Sequence, residues 1–388
     1  MNPRSTKLPK LPRFLAFPTH PTARLIRFGI DDSIDSSEIP GSSTPTRTAK
    51  RMDADRAESP DSSETAPARP SVGWRHRAEF LVFRTLVALI EALPRQTCDS
   101  LARGLAWCIH HLLPRKLTRY YVARDNLRQS FGDRYSDQQM DDLIHRMWIH
   151  LFRMVGEIVL MPRKLRVAGL TEAIEFRNKG DVLRAMASGR PVLLLSGHYG
   201  NWEMAVSVFG LFGFPMGLVA RDLDNPLLHR WFQRFRRYTG HVQIGKKGGS
   251  GLMVEQLERR GSLALLGDQD AGGSGLFVDF FGRPASTFKS IGLLAMEYEA
   301  LICVGYARRL DSTTSTGWPR FELGCEEVID PREFDSGDAL REITQRYTAA
   351  LERVIRRAPE QYFWVHRRWK SVPKTREKRE QRKLKRAG

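Results

Sequence analysis

Short apolar runs alternate with longer amphipathic stretches through the second half of the chain. Runs at 191–195, 215–220, 263–267, 276–281, 301–307 and 319–325 have the length and composition of strands. Between and after them, helical patterns occupy 202–212, 226–239, 250–260, 287–299 and 336–357. Such alternation predicts βαβ units: an α/β fold with a mainly parallel central sheet covered by helices. Upstream the pattern is helical only, at Phe80–Leu93, Cys98–Leu113, Arg119–Ser130 and Asp137–Leu160, punctuated by Pro94, Pro114 and the Gly132-Asp133 turn.

Phe80–Leu93 is apolar around most of its circumference, yet it holds Arg84 and Glu91 and falls short of the roughly 20 residues a span needs. An interfacial helix fits it better. Any one of these helices reads equally well as packed core, but together with Arg75, Arg77, Arg95, Arg115, Lys116 and Arg119 they predict an α-helical membrane-associating segment ahead of the sheet. The expected organisation is therefore an extension at 1–72, a helical membrane-associated region at 73–165, a catalytic α/β domain at 166–373 and a polybasic tail at 374–388.

Composition separates the two ends from the middle. Residues 1–72 hold ten of the 21 prolines, with 11 basic and 9 acidic residues, and bury too little apolar surface to offset ordering entropy, so disorder is expected. They lack the continuous apolar region of a signal peptide, and Met52 is a candidate true start. The tail from Lys374 to Gly388 carries eight basic and two acidic residues; it reads as a solvated tail, or as a membrane- or carrier-attracting one. A net charge of +18 calls for an acidic partner. Cys98, Cys108, Cys303 and Cys325 have no metal-binding or disulfide spacing, which suits a reducing compartment.

Candidate chemistry begins at His198-Tyr199-Gly200-Asn201-Trp202-Glu203, directly after the apolar run and Ser196-Gly197. A histidine at a strand's end stands where α/β enzymes keep their sites, and a carboxylate can fix its tautomer as it acts as general base. Five residues of continuous helix would put His198 and Glu203 on different faces. A turn at Gly200 with Asn201 as helix cap would bring them together. Taken alone the motif is as compatible with a structural histidine, and without a second His nearby it is not a metalloprotease pattern.

Three further clusters lie at strand ends. Arg221 follows one run, and Asn225 precedes a helix opened by Pro226; Arg221 suits a phosphate or oxyanion, or a plain surface. Asp268-Gln269-Asp270 sits among glycines, where paired carboxylates bind Mg²⁺ or, more often, tie turns. Phe280-Phe281-Gly282-Arg283-Pro284-Ala285 supplies aromatics for an apolar slot or for the core. It precedes Ser286-Thr287-Phe288-Lys289, a cap for the next helix.

In order, G-H-Y-G-N-W-E, R-x3-N-P, D-Q-D-x-G, F-F-G-R-P-A and P-E-Q-Y-F-W-V-H-R-R-W-K (Pro359–Lys370) strongly resemble the bacterial lipid A biosynthesis acyltransferases. These are the lauroyl/myristoyl transferases of the lysophospholipid acyltransferase-like superfamily. The resemblance runs from about Phe80 to Lys370 and includes Arg124-Asp125-Asn126-Leu127 and Gly156-Glu157. It implies a glycerolipid acyltransferase-like fold. The implied reaction is transfer of a fatty acyl group from an acyl carrier protein thioester to a hydroxyl of a lipid A precursor, at the cytoplasmic face of the inner membrane. The family's H-x4-D/E motif falls on His198 and Glu203, with Glu203 orienting His198. Arg221, Asn225, Asp268, Gln269, Asp270, Phe281 and Arg367 are the implied substrate contacts, and no metal or cofactor is implied. The family usually opens with a membrane-spanning or deeply embedded helix, which Arg84 and Glu91 interrupt here, and the forward extension is not a family feature.

Two rival readings accompany it. One is acyl-CoA-dependent acylation of another anionic membrane glycolipid or an amino lipid. The other is a basic nucleic-acid-binding protein, against which Tyr362, Trp364 and Trp369 fall in an amphipathic helical run with no recognised nucleic-acid motif.

Overall fold

A computed structural model describes residues 72–373 except Leu165, Arg166 and Lys247. The expected basic tail, and all but the last residue of the expected extension, lie outside the described residues. Four helices lead: α1 (Trp74–Ala92), α2 (Arg95–Trp107, prolonged by a π-helical turn at Cys108–Leu112), α3 (Tyr120–Phe131) and α4 (Asp137–Lys164). Then follow α5 (Val167–Ala173), β1 (Ile174–Arg177), α6 (Lys179–Ala187), β2 (Val192–Ser196), α7 (Trp202–Leu211), β3 (Met216–Ala220), α8 (Pro226–Arg237) and β4 (Val242–Gly245). The chain continues through α9 (Ser250–Glu258), β5 (Ser262–Leu266), β6 (Leu276–Phe280), β7 (Arg283–Thr287), α10 (Lys289–Glu297), β8 (Leu301–Thr313), β9 (Pro319–Ile329) and α11 (Ala339–Arg357).

Seven strands form one sheet in the order β1-β9-β8-β2-β5-β3-β4. Every neighbouring pair is parallel except β8 with β9. The central strand β2 is buried from Val192 to Leu195, which is why it reads as an unbroken apolar run. Its alternate side chains enter two cores. Val192 and Leu194 join residues of α6 and α7, whereas Leu193 and Leu195 join residues of α9, α10 and α11.

All six strands and all five helices expected between Pro191 and Arg357 are present, but 276–281 does not join the sheet. It becomes β6, paired antiparallel with β7 in a separate ribbon. Phe281 and Gly282, both at positive φ, make the two-residue loop that such a hairpin requires. Ser286 and Thr287 consequently belong to β7 and do not cap α10, which starts without a side-chain cap. β1 and β4 were not foreseen because each has four residues at a sheet edge with little apolar signal. The expected helical run holding Tyr362, Trp364 and Trp369 is a short 3₁₀ turn, Pro359–Gln361, followed by irregular chain. Its aromatics are spent on packing against α3 and α4.

The leading helices fit against the sheet through α1 and α4. In α1, Phe83 meets Trp231 edge-on and lies against Phe232 of α8, while Leu81, Val82, Leu86 and Leu89 face outward. Among the described residues no helix is long and apolar enough to cross a membrane. α4 buries Met140, Ile144 and Met147 with Leu127 of α3 and with Trp364 and Val365. Asn126 of α3 donates to the carbonyls of Trp364 and His366, both at 2.7 Å.

One turn of α4 also carries a buried carboxylate. Glu157 accepts from Arg309 Nε at 2.7 Å and from Asn201 Nδ2 at 2.9 Å. The Gln361 side chain brackets the Arg309 main chain, accepting from its N–H at 2.9 Å and donating to its carbonyl at 2.8 Å. Burial lifts the Glu157 pKa and outweighs the Arg309 charge and hydrogen bonds that lower it.

Removing one partner of a buried pair strands the other, at a cost of about 3–5 kcal/mol. Glu157→Ala should lower unfolding stability by that order in urea titration, with Arg309 left unpaired; a loss no larger than that of an exposed ion pair would show that the contact carries no weight.

Candidate active site

Strand pairing brings the two most distant motif residues together. Ser196 of β2 is in register with Leu266 of β5. His198 and Asp268, each two residues further along, therefore emerge side by side beyond the carboxyl ends. The chain leaves β2 for β3 on one side and β5 for β8 on the other, so the crevice between these strand ends is a topological switch point. Gly197 makes the approach possible: a Cβ there would lie 3.2 Å from Asp268 Cβ and Cγ.

Asp268 grips His198 twice. Its Oδ2 accepts the His198 backbone N–H at 2.8 Å, and its Oδ1 lies 2.9 Å from His198 Nδ1. The carboxylate is 2% exposed and the imidazole 21%. Burial pushes the His198 pKa down, but the Asp268 charge and hydrogen bond outweigh it and the net shift is upward. For Asp268, burial pushes upward, and the charge and bonds of His198 bring the net below the ordinary carboxylate value. A carboxylate on Nδ1 places a proton there and leaves Nε2 as the basic nitrogen. Nε2 is 3.4 Å from the Gln269 side-chain amide, and the ring meets Trp202 edge-on at 5.2 Å.

The expected His198–Glu203 contact is not made. Glu203 sits in the first turn of α7 and forms a two-point pair with Arg236 of α8, at 2.6 and 3.3 Å. The turn at Gly200 does form, but α7 aims Glu203 toward α8, where the Arg236 guanidinium meets it at two points.

The histidine loop is held along its length. Phe363 N–H donates to His198 O at 3.0 Å, Gly200 N–H to Gln361 O at 2.9 Å, and Asn201 N–H to Ala307 O at 2.8 Å. His150 of α4 donates through Nε2 to Gly200 O at 3.1 Å; burial drops its pKa to about 4, so it serves as a neutral donor. Asn201 caps α7 by accepting from Met204 N–H at 3.0 Å.

The other expected residues separate into two groups. Arg221, Gln269 and Glu203 line one cavity with His198; Arg221 is at its mouth, 78% exposed and 3.1 Å from Asp224. Asn225, Asp270, Phe281 and Arg367 are placed otherwise. Asn225 is buried and fully engaged, accepting from Leu227 N–H and donating to His76 O and Glu79 of α1. Asp270 fastens Ser371 and Gly272. Phe281 packs against Phe131 and Trp364 in the core, and the positive φ of the hairpin loop turns it there. Arg367 is exposed, whereas Arg368 is buried and donates to Ser286 O and Thr287 Oγ1, near enough to Asp268 and Asp270 to feel their charge. Arg236, Lys246 and Arg368 carried no sequence signal of their own: each is one basic residue among 62. No group of three or more His, Cys, Asp or Glu suited to a metal ion occurs among the described residues.

The cavity has a volume of about 520 Å³, within the usual range for small-molecule sites. Its polar rim of His198, Glu203, Arg221, Arg236, Lys246 and Gln269 gives way to an apolar interior of Leu, Val, Ile, Phe and Met side chains. That combination suits a hydrocarbon chain with a polar or anionic head, placed beside a base.

The family model for bacterial lipid A biosynthesis acyltransferases matches residues 72–371. The lipid A biosynthesis palmitoleoyltransferase of Escherichia coli (strain K12) is 28% identical over 262 residues, covering 66% of this chain and 80% of that protein. A phosphatidylinositol mannoside acyltransferase of Mycolicibacterium smegmatis (strain ATCC 700084 / mc(2)155) is 26% identical over 220 residues, covering 55% of this chain and 69% of its own length. The crystal structure of the 1-acyl-sn-glycerophosphate acyltransferase PlsC from Thermotoga maritima aligns with a TM-score of 0.31 at 14% identity, over 71% of this chain and 97% of that one.

Gly200 is at φ +58°, and a Cβ there would lie 2.0 Å from Ala307 O. Gly200→Ala must therefore push the histidine loop off β8. The variant should lose most of its activity and melt lower than wild type; a Gly200→Ala protein with wild-type turnover and melting temperature would refute the constraint.

Proposed function

Because the chain belongs to the bacterial lipid A biosynthesis acyltransferase family, and is thereby an acyltransferase, we propose that it moves a fatty acyl group from an acyl carrier protein thioester to a hydroxyl of a lipid A precursor, with His198 as general base. The observation that carries this reading is the pairing of His198 Nδ1 with buried Asp268, which leaves Nε2 beside an apolar cavity. The acceptor hydroxyl gives its proton to Nε2 as its oxygen attacks the thioester carbonyl carbon. The tetrahedral intermediate expels the thiolate, and the imidazolium returns the proton to sulfur, so the ester and the free thiol form without an acyl-enzyme.

Asp268 orients the ring and stabilises its charged form. Arg221 and Lys246 at the rim suit the anionic groups of donor or acceptor, and cationic or amide N–H groups there suit the developing oxyanion. Glu203, neutralised by Arg236, shapes the rim. The outward apolar side chains of α1, with Leu101, Leu105 and Trp107 of α2, support docking on a membrane surface, in this reading the cytoplasmic face of the inner membrane. The similarity to a phosphatidylinositol mannoside acyltransferase supports another membrane glycolipid as acceptor in a second reading, in which acyl-CoA is the donor. Mass spectrometry of membrane lipids with and without the protein separates the two by the acceptor that gains a chain.

His198→Ala should reduce acyl transfer on the order of 10²- to 10⁴-fold while the protein still folds; retained turnover removes the mechanism. Asp268→Asn tests the orientation. Because the Asp268 charge raises the His198 pKa against the downward pull of burial, its loss should move the acid limb of the pH–rate profile to lower pH while the plateau rate falls. An unmoved limb would detach Asp268 from the base.

A further inference from the structure

The cavity beside His198 is not confined to one side of the sheet. Successive residues of a strand point to opposite faces, yet both Leu194 and Leu195, both Leu218 and Val219, and both Ala264 and Leu265 line it. The helical lining divides in the same way. Val182 of α6 and Val206 and Phe209 of α7 belong with Leu194, Leu218 and Ala264 in the core on one face. Met253 of α9, with Ile291 and Leu294 of α10, belongs with Leu195, Val219 and Leu265 in the core on the other. The cavity's apolar lining therefore divides between the two faces of the sheet, a chamber on each, past the carboxyl ends of β2, β3 and β5. His198 lines the same cavity.

We infer that the site holds two hydrocarbon chains at once, one in each chamber: the acyl chain of the donor thioester and a chain of the acceptor lipid. The inference rests on the acyl-transfer reading and adds a second lipid-binding subsite to it. A single chain would need one apolar chamber running from the base. A second chamber on the far face, lined by Leu265, Phe288, Ile291 and Leu294, has no use for a donor already threaded on the α7 side. Two chains of one encounter, donor and acceptor, account for two chambers in the cavity that His198 lines. The polar rim is common to them, as it must be if the attacking hydroxyl and the thioester carbonyl are to meet at Nε2.

The chambers can be altered separately. Val206→Phe fills the α7 side and Phe209→Ala enlarges it; Leu294→Phe fills the α10 side and Leu294→Ala enlarges it. Each full-length variant is given a mixture of saturated acyl thioesters and a lipid A precursor. The readouts are the acyl-chain distribution in the product, by mass spectrometry, and the KM for the acceptor. Filling and enlarging one chamber should shift the product distribution in opposite directions. Transfer-rate ratios should change by about tenfold for chains differing by one or two methylenes, with acceptor KM unmoved. Changes in the other chamber should raise acceptor KM and leave the distribution as it was. The inference is overturned if both chambers move the distribution together, as one chain threading both would, or if folded variants of one chamber change neither readout. The enlarging variants keep the test open where a filling variant fails to fold. Wild-type protein that transfers no acyl chain to the acceptor would instead overturn the acyl-transfer reading.

Discussion

Taking Glu157 and Arg309 out of water together is the constraint on which the rest of the molecule depends. Each charge alone would be untenable in that position, so the helix that carries one and the strand that carries the other must meet in a single register. Asn201 completes the carboxylate's bonding, and this couples the histidine loop to the same register. The segment after α11 is drawn in through Gln361, which binds the Arg309 main chain with its side chain and Gly200 with its carbonyl. Four separate stretches of sequence thereby share one polar knot, and the imidazole's position follows from it.

Much of the sheet was legible because buried parallel strands read as unbroken apolar runs. The run ending at Leu195 marked β2, and Pro226 after Asn225 marked the start of α8. What a single sequence does not carry is which strands are neighbours. His198 and Asp268 meet because β5 lies beside β2, although α7, β3, α8, β4 and α9 intervene in the chain. Glu203 looked like the partner because it was near in sequence. Distance along the chain favoured the wrong carboxylate, and strand register supplied the right one. The hairpin at Phe281-Gly282 was similarly hidden: a Phe in a loop at positive φ carries no signal until its burial beside Trp364 shows what holds it there.

The electrostatics of the site follow from this geometry. His198 is buried enough to be weakened as a base and paired closely enough to recover, and the balance falls on the side of the stronger base. Glu203, the second carboxylate near the ring, is neutralised by Arg236. The imidazole therefore answers mainly to one anion, Asp268, whose side chain is almost wholly buried. Arg221 and Lys246 line the same cavity as His198, and its lining is otherwise mainly apolar.

The segment from Pro359 to Ser371 has a consequence in time. Asn126 and Trp364, which hold each other, are 238 residues apart in the chain, and the bonds that pin His198 and Gly200 come from Phe363 and Gln361. On a ribosome the helices and most of the sheet emerge before any of these. Until they do, the histidine loop has its contacts to Ala307, His150 and Glu157 but lacks the bonds from Gln361 and Phe363. A chain ended before Pro359 would keep every strand of the sheet and lack these bonds, so the segment made after the sheet fixes the final position of the histidine loop.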